Sequence, residues 1–334
     1  MDGMIARLVR SHLGARTEDV LACVAVDPAI DGPADGAVTR AVFAMALNLC
    51  LFDDLVARVP TAAAYIADRR AAGERICFDH GAIRTILFAE GPTGALPPGE
   101  AAFARLLEPL GYEVADVYPL PALRMTGRAY RHLDFPETIP QFFVSELHID
   151  RFDAAFAATA QRVFGGSRDP LGPATHALLT RLAGGAAAFA EAVAALPEIA
   201  GAFGRQHPLP TRADYEALRA QSAEAAWIAT EGNAFNHATD RVADVDAVAA
   251  AQVALGRPMK DRIEVSASGR VRQTAFRADT VRRALPADGG DIDHAVPGSF
   301  YEFITRAVDP ATGRLDLGFD SGNATGIFAM TRAA

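Results

Sequence analysis

The chain has 334 residues, half of them apolar and 22% charged, with a formal net charge of −9. Such a chain can bury a sizeable core in one large domain or two small ones, and its acidity argues against nucleic acid or an anionic membrane as a partner. "MDGMIARLVR" lacks the apolar core of a secretion signal, and the longest apolar run, "AVFAMALNLCLF" at 41–52, is too short to span a bilayer, so the expected location is cytoplasmic.

Taken in chain order, residues 1–73 read as helical, with helices ending at Gly14 and Gly73 and a cap expected at Thr61. Cys23, Cys50 and Cys77 lie apart in apolar runs, the pattern of buried reduced thiols rather than of a disulfide framework or zinc cluster. From residue 74 the texture changes. "ERICFDHGAIRTILF" reads as a strand, "PPGEAAFARLLEPLG" as a helix, and "YEVADVYPL", "LRMTGRAYRHL" and "QFFVSELHI" as three more strands. This gives a β-α-β-β-β unit over 74–150. Residues 151–231 are Ala-rich and helical, broken near 165–173 and 204–210, and carry no motif. Residues 232–334 repeat the first order. "NAFNHATDRV" is a strand, "DVDAVAAAQVALG" a helix, "DRIEVSASG" and "RVRQTAFRA" a hairpin around Ser268-Gly269, and "GSFYEFITRAV" the last strand. The expected fold is α+β, with two βαβββ modules building one catalytic unit around helical segments.

The two first strands echo each other as "FDHGAIR" (78–84) and "FNHATDR" (235–241). Period-two alternation places Phe78, His80, Ala82 and Arg84 on one face, and Phe235, His237, Thr239 and Arg241 on one face of the partner strand. Two modules paired about a pseudo-twofold axis bring His80 and His237 together. A third ligand is supplied best by Glu302, a carboxylate in the apolar run "SFYEFITR" that is costly to bury without a partner or a metal. Glu146 lies 66 residues after His80, and Glu302 65 residues after His237. Glu146 is therefore the pseudo-symmetric rival, either an acceptor behind a ligating His or a plain ion pair. Two His and one carboxylate leave three positions open on a metal, the arrangement of non-haem Fe(II) oxygenases, although the donor set admits other divalent ions. Arg84, four residues and roughly 13 Å beyond His80, suits a substrate carboxylate or a structural ion pair, and Arg241 holds the equivalent place. The other six His lack the echo and read as structural. No phosphate-binding loop or serine-nucleophile elbow is present.

"FDHGAIRT", "FNHATDRV", "RQTAF" (272–276) and "GSFYEFITR" together resemble the 2-oxoadipate dioxygenase/decarboxylase family, also called hydroxyglutarate synthase, related in fold to the vicinal oxygen chelate superfamily. The tail "GFDSGNATGIF" (318–328) and "YEFITR" also look like the corresponding elements of 4-hydroxyphenylpyruvate dioxygenase. The resemblance spans most of 74–328. It implies Fe(II) held by His80, His237 and Glu302, a substrate carboxylate anchored by Arg84, and a pocket lined by Gln273, Gly322 and Asn323. It further implies oxidative decarboxylation of a 2-oxo acid by O2 to a shortened 2-hydroxy acid and CO2. The chain is shorter than the characterised bacterial enzymes, and its tail departs from the family's V-S-A-A-G-I-F form. Two other readings stay open: a metal-dependent isomerase, lyase or hydrolase on the same fold, and a non-catalytic small-molecule binder. A homo-oligomer is compatible with the sequence.

Overall fold

The computed structural model describes residues 3–31, 36–320 and 330. Ten strands matter for the site: β1 (Phe78–Leu87), β2 (Tyr112–Leu120), β3 (Met125–His132), β4 (Gln141–His148), β5 (His237–Arg241), β6 (Glu264–Val265), β7 (Val271–Ala275), β8 (Thr280–Leu285), β9 (Ile292–Pro297) and β10 (Phe300–Arg306). Eight of them form one curled sheet in the order β2-β3-β4-β1-β5-β10-β7-β6, while β8 and β9 pair as a separate hairpin. The order is symmetric about its centre. β1 pairs parallel with β4, β5 pairs parallel with β10, and the two halves meet where β1 and β5 run antiparallel. The fold is therefore α+β, built from two βαβββ modules joined edge to edge.

Eleven helices accompany the sheet among the described residues: α1 (Met4–Leu13), α2 (Thr17–Cys23), α3 (Arg40–Arg58), α4 (Pro60–Ala71), α5 (Ala101–Leu107), α6 (Ala154–Phe164), α7 (Pro173–Ala183), α8 (Phe189–Ala202), α9 (Arg212–Arg219), α10 (Ala223–Glu231) and α11 (Val245–Ala254). Each module carries its own crossover helix, α5 in the first and α11 in the second, as parallel pairing requires. α11 is capped by Asp244, whose carboxylate accepts from the amides of Asp246 and Ala247. Thr61 does not cap α4. It lies inside that helix, and its amide and hydroxyl both donate to Asp279. The cap expected from local sequence is supplied from 218 residues away.

The two faces of the sheet have different fates. Ile83, Phe142, Val144, Ala238, Tyr301 and Phe303 join the main core, which includes the buried residues of α3 such as Phe43, Leu47 and Phe52. That burial explains the long apolar run at 41–52, and no described helix is long and apolar enough to cross a membrane. On the other face, Ile86 and Leu147 pack with α6 and with Trp227 and Ile228 of α10, closing one end of the concave side. Cys23, Cys50 and Cys77 are free thiols, the first two buried and the third half-buried.

One irregularity decides what faces the concave side. The β1–β5 register slips between Phe78 and His80. Strict alternation would leave Phe78 beside His80; instead Phe78 packs in the main core against Phe52 and Phe235. Phe235 follows it there and lies directly over Gly81, where a β-carbon would come within 2.3 Å of the ring. Of the residues expected on one face, His80, Ala82 and Arg84 stay on the concave side, whereas Phe78 and Phe235 do not. A bulge re-aims a strand in just this way.

Candidate metal centre

Register builds the centre before any side chain is considered. His80 of β1 stands opposite Thr239 of β5, and Thr239 stands opposite Glu302 of β10. One rung further, Ala82 faces His237, which faces Phe300. His80, His237 and Glu302 therefore project from three adjacent strands onto one spot. Each offers a donor atom, and these atoms all lie within 4.8 Å of one another. Glu302 Oε2 is 3.2 Å from His237 Nε2 and 3.4 Å from His80 Nε2. An ion about 2.1 Å from two donors at a right angle sets them about 3 Å apart, so this spacing suits a shared ion.

The electrostatics of the trio are strongly coupled. Burial opposes ionisation of Glu302, but the two imidazoles outweigh it and hold the carboxyl well below its usual range. Burial pushes His80 down, yet hydrogen bonds to Asp79 and Glu302 reverse the direction and raise it. Burial also pushes His237 down; Glu302 only partly restores it, and His80 and Arg84 add to the depression. His80 is thus the imidazole favoured to carry a proton when no ion is bound. Thr239 donates to Glu302 Oε2 at 2.8 Å and sits 3.1 Å from His80 Nε2. His80 Nδ1 is 2.8 Å from Asp79 Oδ1, an arrangement that fixes the ring with Nε2 facing inward.

The trio lines a pocket whose walls include Arg84, Phe143, Ser145, Asn236, Gln273 and Phe319. The family model for 2-oxoadipate dioxygenase/decarboxylase matches residues 52–315.

The chain belongs to the 2-oxoadipate dioxygenase/decarboxylase family.

Among solved structures, a putative glyoxalase superfamily protein from Ralstonia eutropha JMP134 is 52% identical, with a TM-score of 0.91 over 96% of this chain and all of that one. The hydroxyglutarate synthase of Oryza sativa, in complex with 2-oxoadipate, is 23% identical, with a TM-score of 0.68 over 90% of this chain and 97% of that one. That of Pseudomonas putida, also in complex with 2-oxoadipate, is 21% identical, with a TM-score of 0.64 over 90% and 75%. At those two lower identities the shared fold is what the likeness shows. No curated protein matches the chain.

For a member of this family the donor set fits a divalent metal on two further counts. Glu302 Oε1 is buried with no hydrogen-bond partner. A buried carboxylate oxygen left unsatisfied is costly unless something binds there. The mate of Glu302 across the pseudo-twofold is Phe143: Thr239 pairs with Glu302, and Ala82, two residues past His80 as Thr239 is past His237, pairs with Phe143. Phenylalanine offers no donor, so the described residues bring three candidate donors together here and no fourth from the mirror position.

Glu146, expected from spacing to mirror Glu302, does not. It pairs with Thr85, which points away from the site, and its carboxylate accepts from the amide of Glu100 at 2.8 Å and faces Arg128 at 3.4 Å. It is an ion pair on the opposite face. Arg84 lines the pocket with its guanidinium 4.9 Å above the Trp227 ring. Arg241 is not its equivalent. It donates to the Glu137 carbonyl and to Cys77 Sγ and lies outside the pocket lining. Gln273 lines the pocket and donates to Glu264 at 3.4 Å. Gly322 and Asn323 lie outside the described residues. Sequence reasoning gave no role to Asp79, Ser145, Asn236, Arg306 or Phe319. The available signals were the acid and amide inside the echoed motif and an arginine closing an apolar strand.

Proposed function

We propose that the protein is an Fe(II)-dependent dioxygenase that converts a 2-oxo acid resembling 2-oxoadipate into a 2-hydroxy acid one carbon shorter and CO2. The observation that carries this reading is the convergence of His80, His237 and Glu302 in one pocket with the buried guanidinium of Arg84. His80, His237 and Glu302 would hold the metal, which supplies activation of O2 and of the oxo acid when bound. The chain's own residues do the rest. Phe143 offers no donor at the rung that mirrors Glu302, so a metal held by the trio would stay open to substrate. Arg84 grips a substrate carboxylate through charge-assisted hydrogen bonds. Ala82, Phe143 and Phe319 form an apolar wall that excludes water from the reacting carbon. Thr239 and Asp79 orient Glu302 and His80.

Atoms balance without an added reductant. The C1 carboxylate leaves as CO2. One oxygen atom of O2 completes the carboxyl formed from the keto carbon, and the other becomes the new hydroxyl. Related hydroxyglutarate synthases bind 2-oxoadipate, which supports a diacid of that length. The test is anaerobic reconstitution with Fe(II), followed by oxygen uptake and CO2 release with 2-oxoadipate. One O2 consumed per CO2 released is expected. Absence of uptake with 2-oxoadipate and with neighbouring oxo acids would exclude the reaction. The same donors accept Zn, Ni and Mn, so parallel reconstitution with each shows whether turnover belongs to iron.

A further inference from the structure

Arg306 ends β10 outside the pocket lining, yet it touches both what holds His80 and what covers the pocket. Its Nε donates to Asp79 at 2.9 and 3.1 Å, and its Nη2 to Asp79 Oδ1 at 2.8 Å. That same Oδ1 is the atom 2.8 Å from His80 Nδ1. On its other side, Nη1 donates to the carbonyls of Asp316 at 2.9 Å and Gly318 at 2.8 Å. The guanidinium also lies 5.1 Å from the Phe319 ring centre. Phe319 presents its ring to His80 at 4.8 Å and to Phe143 at 5.1 Å, and its amide donates to Tyr118 Oη at 3.0 Å. One buried, planar fork thus binds the carboxylate behind a candidate ligand and the backbone of the segment that walls the site.

The pseudo-twofold shows that this arrangement is not a generic property of the module. The position matching Arg306, four residues past Phe143 as Arg306 is past Glu302, is Leu147, which is buried in an apolar cluster. The position matching Asp79 is Asn236, whose Oδ1 is buried without a partner, as is His237 Nδ1. The second copy of the motif therefore has neither the anion nor the cation. A buried Asp–Arg pair is a weak source of net stability compared with apolar packing, and Leu147 shows that the fold accepts apolar packing there. What the pair adds is a fixed geometry.

We propose that Arg306 is a positioning residue that couples the aim of His80 to the placement of residues 316–319 against the pocket. This rests on the reading of His80 as a metal ligand. The coupling is reciprocal: an ion that steadies His80 steadies the segment, and a well-seated segment tightens the ion. Lysine keeps the charge but cannot serve a carboxylate and two carbonyls in one plane.

The test uses the full chain and Co(II). Metal affinity is read by titration of the cobalt visible band, and seating of the segment by amide hydrogen exchange of peptides covering 316–320. In the parent, Co(II) should slow that exchange. Arg306→Lys should weaken Co(II) by roughly 10- to 100-fold, as loss of an outer partner of a ligating His does. It should also speed exchange and abolish the cobalt-dependent slowing. Asp79→Asn, which keeps an acceptor for His80 but loosens Arg306, should move both readouts in the same direction. A merely structural ion pair would alter thermal stability and leave the cobalt-dependent slowing intact; that outcome overturns the proposal, as does parental Co(II) affinity in Arg306→Lys. If Arg306→Lys does not fold, Asp79→Asn decides alone by the same criteria. If the parent itself binds no Co(II), the ligand reading of His80 fails. Unchanged segment exchange in metal-free Arg306→Lys would instead sink the clamp itself.

Discussion

Arg84 is 1% exposed, and a guanidinium that deep is expensive to keep unless it serves an anion or a tightly packed neighbour. Trp227 accounts for one face of it, at 4.9 Å. The carbonyl of Arg84 accepts from Asn233 at 2.6 Å, so the backbone beneath the side chain is fixed and the fork is pre-aimed. A charge-assisted hydrogen bond contributes about 1.5–3 kcal/mol. Arg84→Met should accordingly raise KM for 2-oxoadipate by roughly 10- to 150-fold, with a smaller change in kcat if the contact is equal in ground and transition states. Arg84→Lys should fall between the two, because a point charge replaces a planar fork. Steady-state kinetics with 2-oxoadipate and with 2-oxohexanoate separate the two carboxylates. A loss confined to the diacid places Arg84 at the distal group, and a loss with both places it beside the keto acid. An unchanged KM with both substrates removes Arg84 from substrate binding.

At the scale of strands, the asymmetry between Glu302 and Phe143 makes its own prediction. The register puts a side chain at 143 on the rung that mirrors 302. Phe143→Glu should therefore introduce a fourth donor, a second carboxylate, to the same ion. Affinity for Co(II) should rise, since affinity follows ligand charge count, while oxo-acid turnover should collapse because a substrate position is filled. Without metal the variant should unfold at lower temperature than the parent, burying an unpaired carboxylate, and metal should restore it. Weaker Co(II) binding than the parent would show that the mirror position is not Phe143.

The same rung explains what the sequence could reveal. The echoed motif, the module order and the trio of donors were legible because each is local or repeats. The mate of Glu302 was not. Counting residues from the first histidine points to Glu146, but loops between strands absorb insertions, and only pairing tells which residue shares a rung. The outward turn of Phe78 was hidden for a related reason: a bulge breaks the period-two rule without changing composition, while Phe235 precedes the start of β5, where strand alternation does not apply. Arg241 copies Arg84 in sequence but differs in role because its surroundings differ, Cys77 and the Glu137 carbonyl in place of Trp227 and the pocket. Partners distant in sequence, such as Asp79 with Arg306 or Thr61 with Asp279, leave no local pattern to read.

For the whole molecule, the response to acid follows from groups buried away from the site. Burial pushes His132 down to about 4, and it also pushes His207 down to about 4. Both fold as neutral rings: His132 Nδ1 accepts from the amides of Asp134 and Phe135, and His207 Nε2 is 3.2 Å from the Ala229 carbonyl. Between pH 6.5 and 4 the unfolded chain binds protons that these rings refuse, so their stabilising contribution is complete above pH 6.5 and is lost as pH falls toward 4. Asp240 acts in the opposite sense. Burial raises it to about 6, so between about pH 4 and 6 the folded chain keeps a proton that the unfolded chain has released, and this contribution grows as pH falls. Of these three groups, two take up a proton on unfolding and one releases it, so together they lower stability on acidification through that window. In the metal-free protein, urea midpoints measured from pH 6 down to pH 4.5 should fall accordingly. His132→Gln combined with His207→Gln should make that fall shallower. A parent midpoint that holds steady or rises over this range would mean that the two rings are not kept neutral by the fold.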